Sequence, residues 1–485
     1  MQFQSTRDPN TIVSSSEAIL RGLAPDGGLF VPTAFPKAEL EDWKSLSYPE
    51  LAQKVLAGFL TDYDPAFLGE AAAATYGDAF AGKAGYVQKV HDGLYSLELW
   101  HGPTCAFKDM ALQILPHLLT ASLKKCGETK KVCILVATSG DTGKAALEGF
   151  ADVEDTKILV FYPHNGVSDV QKLQMVTQRG ENVSVAAVKG NFDDAQTGVK
   201  TLFGDTQLAQ ELSAKGWFLS SANSINWGRL LPQIVYYFSA YCDFLNSNRL
   251  KLGDEVDFAV PTGNFGDILA CWYAKQMGLP VGKLICASNE NNVLADFFKT
   301  GTYDRNRAFH TTISPSMDIL VSSNLERLLY SVCGDDKQVA EYMRSLSEKG
   351  SYTVSKEIFK VLSDNFVGGF CTDPDTKATI ADVYNEHGYL IDTHTAVAYK
   401  LMLEHKTDRP TVVVSTASPF KFCDSVLDAL GEKTDASGVE LIEKLASFTG
   451  NAAPAPLCGL DKRPVRFETV IEKQAMKQAV TEFLK

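Results

Sequence analysis

The spacing of apolar residues changes character near residue 95. Upstream of it, apolar positions come in small groups broken by turn signals, APDGG at 24–28 and PTAFP at 32–36, with one alanine-rich helical stretch, AFLGEAAAATYGDAF. Downstream, short β-rich runs alternate with longer runs whose apolar residues recur at helical spacing. KVCILVATSG reads as a strand ending in a glycine turn, followed by the helix TGKAALEGFA. In the same way KILVFYP precedes DVQKLQMVTQRG, VSVAAVKG precedes DDAQTGVKTLF, VDFAVPTG precedes DILACWYAKQMG, and KLICASNE precedes VLADFFKTG. Such alternation predicts α/β architecture, a mostly parallel sheet with helices on both faces. Residues from about 315 to 405 read as mainly helical, and PTVVVSTAS at 410–418 as a late strand returning to the sheet.

A chain of 485 residues exceeds one ordinary core, so two or three packed units are expected. Hydrophobic residues at 45% and charged residues at 22% describe a globular protein. The net charge, 46 − 59 = −13, argues against a nucleic-acid surface. No apolar run approaches the ~20 residues a membrane helix needs. The start, MQFQSTRDPN, has neither the basic residues nor the apolar core of a secretory signal. Ten cysteines are present, none paired as CxxC. Most, such as Cys133 and Cys286, lie in apolar runs and read as reduced core thiols of a cytoplasmic protein.

In open parallel sheets, ligands bind at the carboxyl ends of strands, which directs attention to three loops. In VPTGNFGDILA a strand runs into Gly263-Asn264-Phe265-Gly266 and a helix begins near Asp267. Glycines there would let backbone N–H groups and the positive helix end cradle a phosphate; the competing reading is an ordinary turn. ATSGDTGKAA at 137–146 looks like a P-loop but has Thr138 where that loop needs glycine and Ala145 in place of the Mg-binding hydroxyl. A nucleotide site is therefore set aside. What remains is a hydroxyl-rich helix start, Thr138, Ser139 and Thr142, suited to a small carboxylate or serving only as a cap. In SSANSINWGRLLPQ, Ser221, Asn223, Ser224 and Asn226 followed by Arg229 exceed what one helix cap requires, and a second anion site is the alternative.

The remaining candidate is Lys108 in HGPTCAFKDMALQILPHLL, a lysine flanked by Phe107 and Met110 at the start of an apolar helix. Either it snorkels to solvent, or its amine serves a cavity. HExxH, GxSxG and metal-ligand clusters are absent from the sequence. His101, His164 and His394 are candidate functional histidines, although single histidines are more often structural. An amine beside anion-friendly loops favours lysine chemistry on a phosphate-bearing aldehyde, and pyridoxal phosphate is a cofactor with both groups.

HGPTCAFKD at 101–109 resembles the cofactor-lysine motif of the threonine synthase family, within the fold-type II pyridoxal-phosphate enzymes. ATSGDTG, SSANSINWGR, VPTGNFGD, SPSMDILVSSNLER and STASPFKF resemble further blocks of that family in the same order, and LAPDGGLFVP and YGDAF fit as well. The likeness spans nearly the whole chain and is to the longer form found in fungi and many bacteria. It implies two mostly parallel open sheets flanked by helices, with an N-terminal unit. The units would be 1–95, a catalytic core over 96–425 whose smaller subdomain covers roughly 130–240, and a C-terminal segment over 426–485 packing on the core. It implies that Lys108 carries pyridoxal phosphate as an aldimine and is the catalytic base. Gly263, Asn264, Phe265, Gly266 and Asp267 would hold the cofactor phosphate, and Thr416 the ring nitrogen. A hydroxyl there does not force ring protonation as an aspartate would, so the ring is a more moderate electron sink. Ser139, Asp141 and Thr142 would grip the substrate carboxylate, and Asn223, Ser224 and Arg229 the substrate phosphate.

The implied reaction takes O-phospho-L-homoserine and water to L-threonine and phosphate, the last step of threonine biosynthesis. Phosphate leaves Cγ and water adds at Cβ. A threonine or serine dehydratase of the same fold type is the alternative; it would need no second phosphate site. A non-catalytic homologue is disfavoured because Lys108 is present. The expected partner is the small-molecule substrate alone, without nucleic acid or membrane, in a cytoplasmic monomer or homodimer.

Overall fold

The computed structural model of the chain describes residues 1–405 and 407–485. Two sheets organise the chain beyond its first 85 residues. The larger runs in the order Phe366–Phe370, Val281–Ser288, Val256–Pro261, Thr411–Ser415, Leu94–Glu98 and Tyr86–His91. Its neighbours are parallel except for the terminal hairpin of Tyr86–His91 on Leu94–Glu98. The smaller sheet is parallel throughout, in the order Val470–Glu472, Val183–Lys189, Thr156–Pro163, Lys131–Ala137 and Trp217–Ser221. An antiparallel sheet of Ile12–Ser14, Gln2–Ser5 and Phe30–Pro32 forms part of the N-terminal unit. A two-stranded ladder pairs Thr302–Asp304 with Ser351–Thr353. The two open, mostly parallel sheets with flanking helices and an N-terminal unit are those expected.

Sequence chemistry explains which runs became central strands. Lys131–Ala137 (KVCILVA) is buried from its second residue onward, and Val256–Pro261 and Thr411–Ser415 are buried along their whole length. Helices cover both faces of a parallel sheet, so such strands are apolar runs without polar alternation. The late strand Thr411–Ser415 lies in the middle of the large sheet, between Val256–Pro261 and Leu94–Glu98.

Several strands escaped the pattern reading. Leu94–Glu98 (LYSLE) is buried throughout, but Ser96 and Glu98 disguise it; both accept from the Tyr389 hydroxyl at 2.8 Å. Phe366–Phe370 (FVGGF) and Trp217–Ser221 (WFLSS) are edge strands, whose glycines and serines blur a β signal. Val470–Glu472 joins the small sheet beside Val183–Lys189. Among the described residues no helix is long and apolar enough to cross a membrane, and no cluster of His, Cys, Asp or Glu could hold a metal ion. Cys133 and Cys286 are buried free thiols.

The N-terminal unit shares its core with this two-sheet part of the chain. Trp227 packs against Phe3, Phe59 and Tyr273 at ring-centroid distances of 5.0, 5.5 and 6.0 Å. Two polar ties reinforce this: Asn226 Nδ2 donates to Ile19 O at 2.9 Å, and Arg327 Nε donates to Phe30 O at 3.0 Å. Phe59 has no solvent exposure, so Phe59→Ala opens a cavity in this shared core. The expected loss is about 3–5 kcal/mol, read as a lowered urea midpoint by both near- and far-UV circular dichroism. A change below about 1 kcal/mol would show the N-terminal unit to be loosely attached.

Candidate active site

The segment after Leu94–Glu98 is fixed by main-chain pairing. Phe107 N–H donates to Thr416 O at 2.7 Å, and Ser418 N–H to Cys105 O at 3.1 Å, with Ala106 and Ala417 facing each other in an antiparallel bridge. Asp109 closes the turn from inside. It accepts from Thr104 N–H at 2.8 Å, Thr104 Oγ1 at 2.7 Å and Gln113 Nε2 at 3.0 Å. Burial pushes its carboxyl up to about 6 against those bonds. Lys108 therefore stands at the cap position of the helix Asp109–Leu112, two residues past a pairing that sets its place relative to Thr416.

Lys108 does not snorkel. Its Nζ lies 3.8 Å from the Phe107 ring centroid, and the half-buried side chain lines a partly open cavity. Burial lowers its pKa to about 7; Asp141 and Asp267 oppose the shift, while Arg229 and Lys421 add to it. Near neutral pH a large fraction of the amine is uncharged and nucleophilic.

The loop after Val256–Pro261 bends sharply into the helix Gly266–Gln276. Phe265, a non-glycine residue, adopts φ 65° at its cap. A Cβ on Gly263 would fall 2.7 Å from Ser316 O, so only glycine fits. No side chain caps the helix, and its first-turn N–H groups lack intrahelical partners. Asp267 Oδ1 accepts the Tyr236 and Tyr237 hydroxyls, the latter at 2.7 Å, and its buried Oδ2 has no partner. Burial raises this carboxyl to about 6.

In the loop after Lys131–Ala137, Gly140 has φ 126°, and a Cβ there would lie 2.4 Å from Gln171. Thr138 Oγ1 accepts the N–H groups of Gly140 and Gly143 at 2.9 and 2.8 Å, so Thr138 is the structural cap. Ser139 and Thr142 line the cavity. Asp141 is held differently from the carboxylate grip expected of it. Its Oδ1 receives Lys421 Nζ at 2.7 Å and Gln171 Nε2 at 2.9 Å. Burial works against its charge, but Lys421 and Lys108 outweigh burial and hold it at about 2. An ionised carboxylate repels another, so Asp141 fixes the loop and leaves the anion to backbone and hydroxyls.

The fourth loop carries Asn226 as cap of the short helix Trp227–Leu230, bonded to Gly228 N–H at 2.8 Å. Ser221 Oγ accepts Asn223 N–H at 3.1 Å, and Ser224 Oγ accepts Asn324 Nδ2 at 3.0 Å. Arg229 is 4% exposed and donates through Nη1 to Ala222 O at 2.6 Å, while its buried Nε has no partner. Among the described residues no carboxylate pairs with it, and burial lowers its pKa to about 10.

Every expected site residue lines this one cavity: Lys108, Ser139, Asp141, Thr142, Asn223, Ser224, Arg229, Gly263, Asn264, Phe265, Gly266, Asp267 and Thr416. Of the candidate histidines only His394 joins them. Its Nδ1 lies 2.8 Å from Asp392 Oδ2, and its Nε2 accepts Ser316 N–H at 3.2 Å. His101 instead pairs with Glu98 at 2.7 Å, and His164 is exposed. Sequence reasoning missed Lys421, Asp109, Gln171 and Arg327. The signal for Lys421 was a cation between two phenylalanines in STASPFKF; Arg327, among the polar residues of SSNLER, gave none. The ensemble offers a depressed amine, an uncapped helix start and a buried hydroxyl in Thr416, with Arg229 beyond them. A molecule bearing an aldehyde, a phosphate and a ring nitrogen fits those groups one for one.

Family models match the chain end to end: threonine synthase N terminus over residues 2–76, pyridoxal-phosphate dependent enzyme over 87–356, and threonine synthase C-terminal over 395–483. The threonine synthase of Pseudomonas aeruginosa is 39% identical, covering 99% of this chain and 97% of that protein. Human threonine synthase-like 1 is 44% identical over 86% of this chain, which spans 58% of that relative's length. The crystal structure of pyridoxal-phosphate-bound threonine synthase from Brucella melitensis superposes with a TM-score of 0.88 at 37% identity, covering both chains completely.

Competitive acetylation of the cofactor-free chain, read by mass spectrometry against pH, is expected to place the Lys108 midpoint near 7. Surface lysines titrate near ~10.4; a Lys108 midpoint in that range would remove the electrostatic argument for its reactivity.

Proposed function

The chain belongs to the threonine synthase family of pyridoxal-phosphate enzymes, and from that membership we propose that it converts O-phospho-L-homoserine and water to L-threonine and phosphate. The carrying observation is Arg229: a buried guanidinium on the cavity wall without a carboxylate partner among the described residues, its buried Nε unbonded. A buried unpaired charge is costly to maintain unless a ligand neutralises it. The Gly263–Asp267 loop suits one phosphate, and Arg229 with Asn223 and Ser224 suits another. A dehydratase acting on threonine or serine has no use for the second.

In this reading Lys108 binds the cofactor covalently, Thr416 Oγ1 meets its ring nitrogen, and the backbone of Gly263–Gly266 with the start of the Gly266 helix holds its phosphate. Asp267 contributes its N–H, its carboxyl being held by Tyr236 and Tyr237. When bound, pyridoxal phosphate draws electron density from the substrate's Cα, so that protons at Cα and Cβ become removable. Lys108 Nζ, as a free amine, would take the Cα proton and later return it; a pKa of about 7 suits both directions. Ser139, Thr142 and the start of the helix Asp141–Phe150 hold the α-carboxylate. That contact fixes the Cα–H bond toward Lys108. Arg229 holds the leaving phosphate at Cγ and offsets its growing charge as the C–O bond breaks.

The proposal extends to organisation and setting. The units divide near residues 95 and 425, with the smaller α/β subdomain built on the Lys131–Ser221 strands. The enzyme works in the cytoplasm as a monomer or homodimer on a free small molecule, which its acidic charge and unpaired cysteines support.

Phosphohomoserine-dependent phosphate release with threonine detection tests the reading; release of ammonia and a 2-oxoacid from threonine instead would support the dehydratase. Arg229→Gln is expected to raise KM for phosphohomoserine about 10–100-fold, the loss of a charge-assisted bond of roughly 1.5–3 kcal/mol. Its cofactor absorption should be unchanged, and an unchanged KM would remove Arg229 from the phosphate site. Lys108→Ala should lack the covalent cofactor chromophore, and its turnover should fall by at least about 10³-fold.

A further inference from the structure

Behind the cavity wall a buried lysine is bonded to Asp141, which lines the cavity. Lys421 is fully buried, with no solvent exposure of its side chain. Its Nζ donates to Thr104 O at 2.9 Å and pairs with Asp141 Oδ1 at 2.7 Å. Its own carbonyl accepts the Ser168 hydroxyl at 2.9 Å. One side of this knot belongs to the large sheet, through the loop after Thr411–Ser415; the other belongs to the small sheet, through Asp141 and Ser168. Lys108, by contrast, has no carboxylate partner among the described residues although it faces the same cavity as Asp141. One lysine is thus bonded to this firmly ionised carboxylate, and the other shares its cavity and feels its charge without a bond to it.

We propose that Lys421 is a positioning residue that occupies the Asp141 carboxylate so that the Lys108 amine cannot, leaving Lys108 uncharged and free to react. This rests on the reading of Lys108 as the cofactor lysine. Only a neutral amine adds to an aldehyde carbon; the C–N bond forms with the nitrogen lone pair, and water leaves with the aldehyde oxygen. An ammonium held by Asp141 has no lone pair to offer. The charges facing Lys108 are Asp141, Arg229, Asp267 and Lys421, and those facing Asp141 are Lys421, Lys108 and His394. Removing Lys421 leaves Lys108 as the strongest remaining partner for Asp141. Removing the Asp141 charge withdraws the largest force favouring the Lys108 ammonium.

The two substitutions therefore act in opposite directions, which structural damage would not do. Cofactor-stripped full-length chain is mixed with pyridoxal phosphate from about pH 5.5 to 9, spanning the displaced lysine range, and uptake is followed by visible absorption. Lys421→Met should move the acid midpoint of uptake up by about one pH unit, a tenfold loss of neutral amine on the acid side. Asp141→Asn should move it down. The double variant, Lys421→Met with Asp141→Asn, should return close to wild type, and Lys421→Arg should stay near it. The acid limb of kcat in the reloaded enzyme should follow the same signs. Unmoved midpoints, or both single variants shifting the same way, would overturn the proposal. If Lys421→Met fails to fold by circular dichroism, Lys421→Gln and the Asp141→Asn arm carry the same sign test. Uptake needs no substrate, so normal uptake signs without phosphohomoserine turnover would count against the functional reading and not against the role of Lys421.

Discussion

An imbalance between cations and firmly ionised carboxylates governs this cleft. Lys108 and Arg229 line one cavity and Lys421 is bonded to its Asp141 from behind the wall, while Asp141 is the carboxylate there that is firmly held in its charged form. Burial inflates Coulomb interactions and penalises every unpaired ion. The protein resolves the imbalance in three ways. Lys421 is paired, Lys108 sheds its proton near neutrality, and Arg229, bonded to the Ala222 carbonyl, remains a guanidinium without a carboxylate partner among the described residues. The third is tolerable only in a site that meets an anion, and the proposed substrate brings one at each end of its reacting carbon chain.

The fold supplies the scaffold for that imbalance through strand ends. The large sheet delivers Thr416 from the end of Thr411–Ser415 and the glycine loop from the end of Val256–Pro261. The small sheet delivers residues 139–142 from the end of Lys131–Ala137 and Asn223 from beyond Trp217–Ser221. Binding outside the carboxyl ends of parallel strands is the general rule for open sheets. Here two sheets direct those ends at a common space, so groups more than 300 positions apart, such as Lys108 and Thr416, meet through two main-chain hydrogen bonds.

Most of the site was legible because its residues announce themselves locally. Gly263-Asn264-Phe265-Gly266 and Ser139-Gly140-Asp141 break apolar periodicity between a strand and a helix, where the backbone is free to meet a ligand. Lys108 stood out as a charge in an apolar helix start. The groups that escaped are those whose meaning lies in a distant partner. Lys421 reads as one basic residue until Asp141, from another sheet, is found bonded to it. Asp109 reads as a helix-start acid until Thr104 and Gln113 are seen to fill both its oxygens. Asp141 was placed in the right cavity, yet only its partners show that its charge is spent on the loop. In the fold, Leu94–Glu98 was hidden because its polar residues serve Tyr389 and not solvent, and period-two patterning cannot register a buried polar pair.

Arg327 gives the N-terminal unit a place in this chemistry. Fully buried, it reaches Phe30 O on one side and the carbonyls of Ser224 and Ile225 on the other, at 3.0, 3.2 and 2.7 Å. Asn226 reaches Ile19 O from the same loop. The wall proposed for the substrate phosphate is thereby cast against a mould made by the first thirty or so residues, which contribute no reacting group. Catalytic and non-catalytic parts of this chain are consequently poor units of exchange. Grafting the N-terminal portion of a distant relative onto this core would reshape the Ser224–Arg229 wall, and with it the proposed hold on the leaving group, while leaving Lys108 and the Gly263–Asp267 loop proposed for the cofactor as they are.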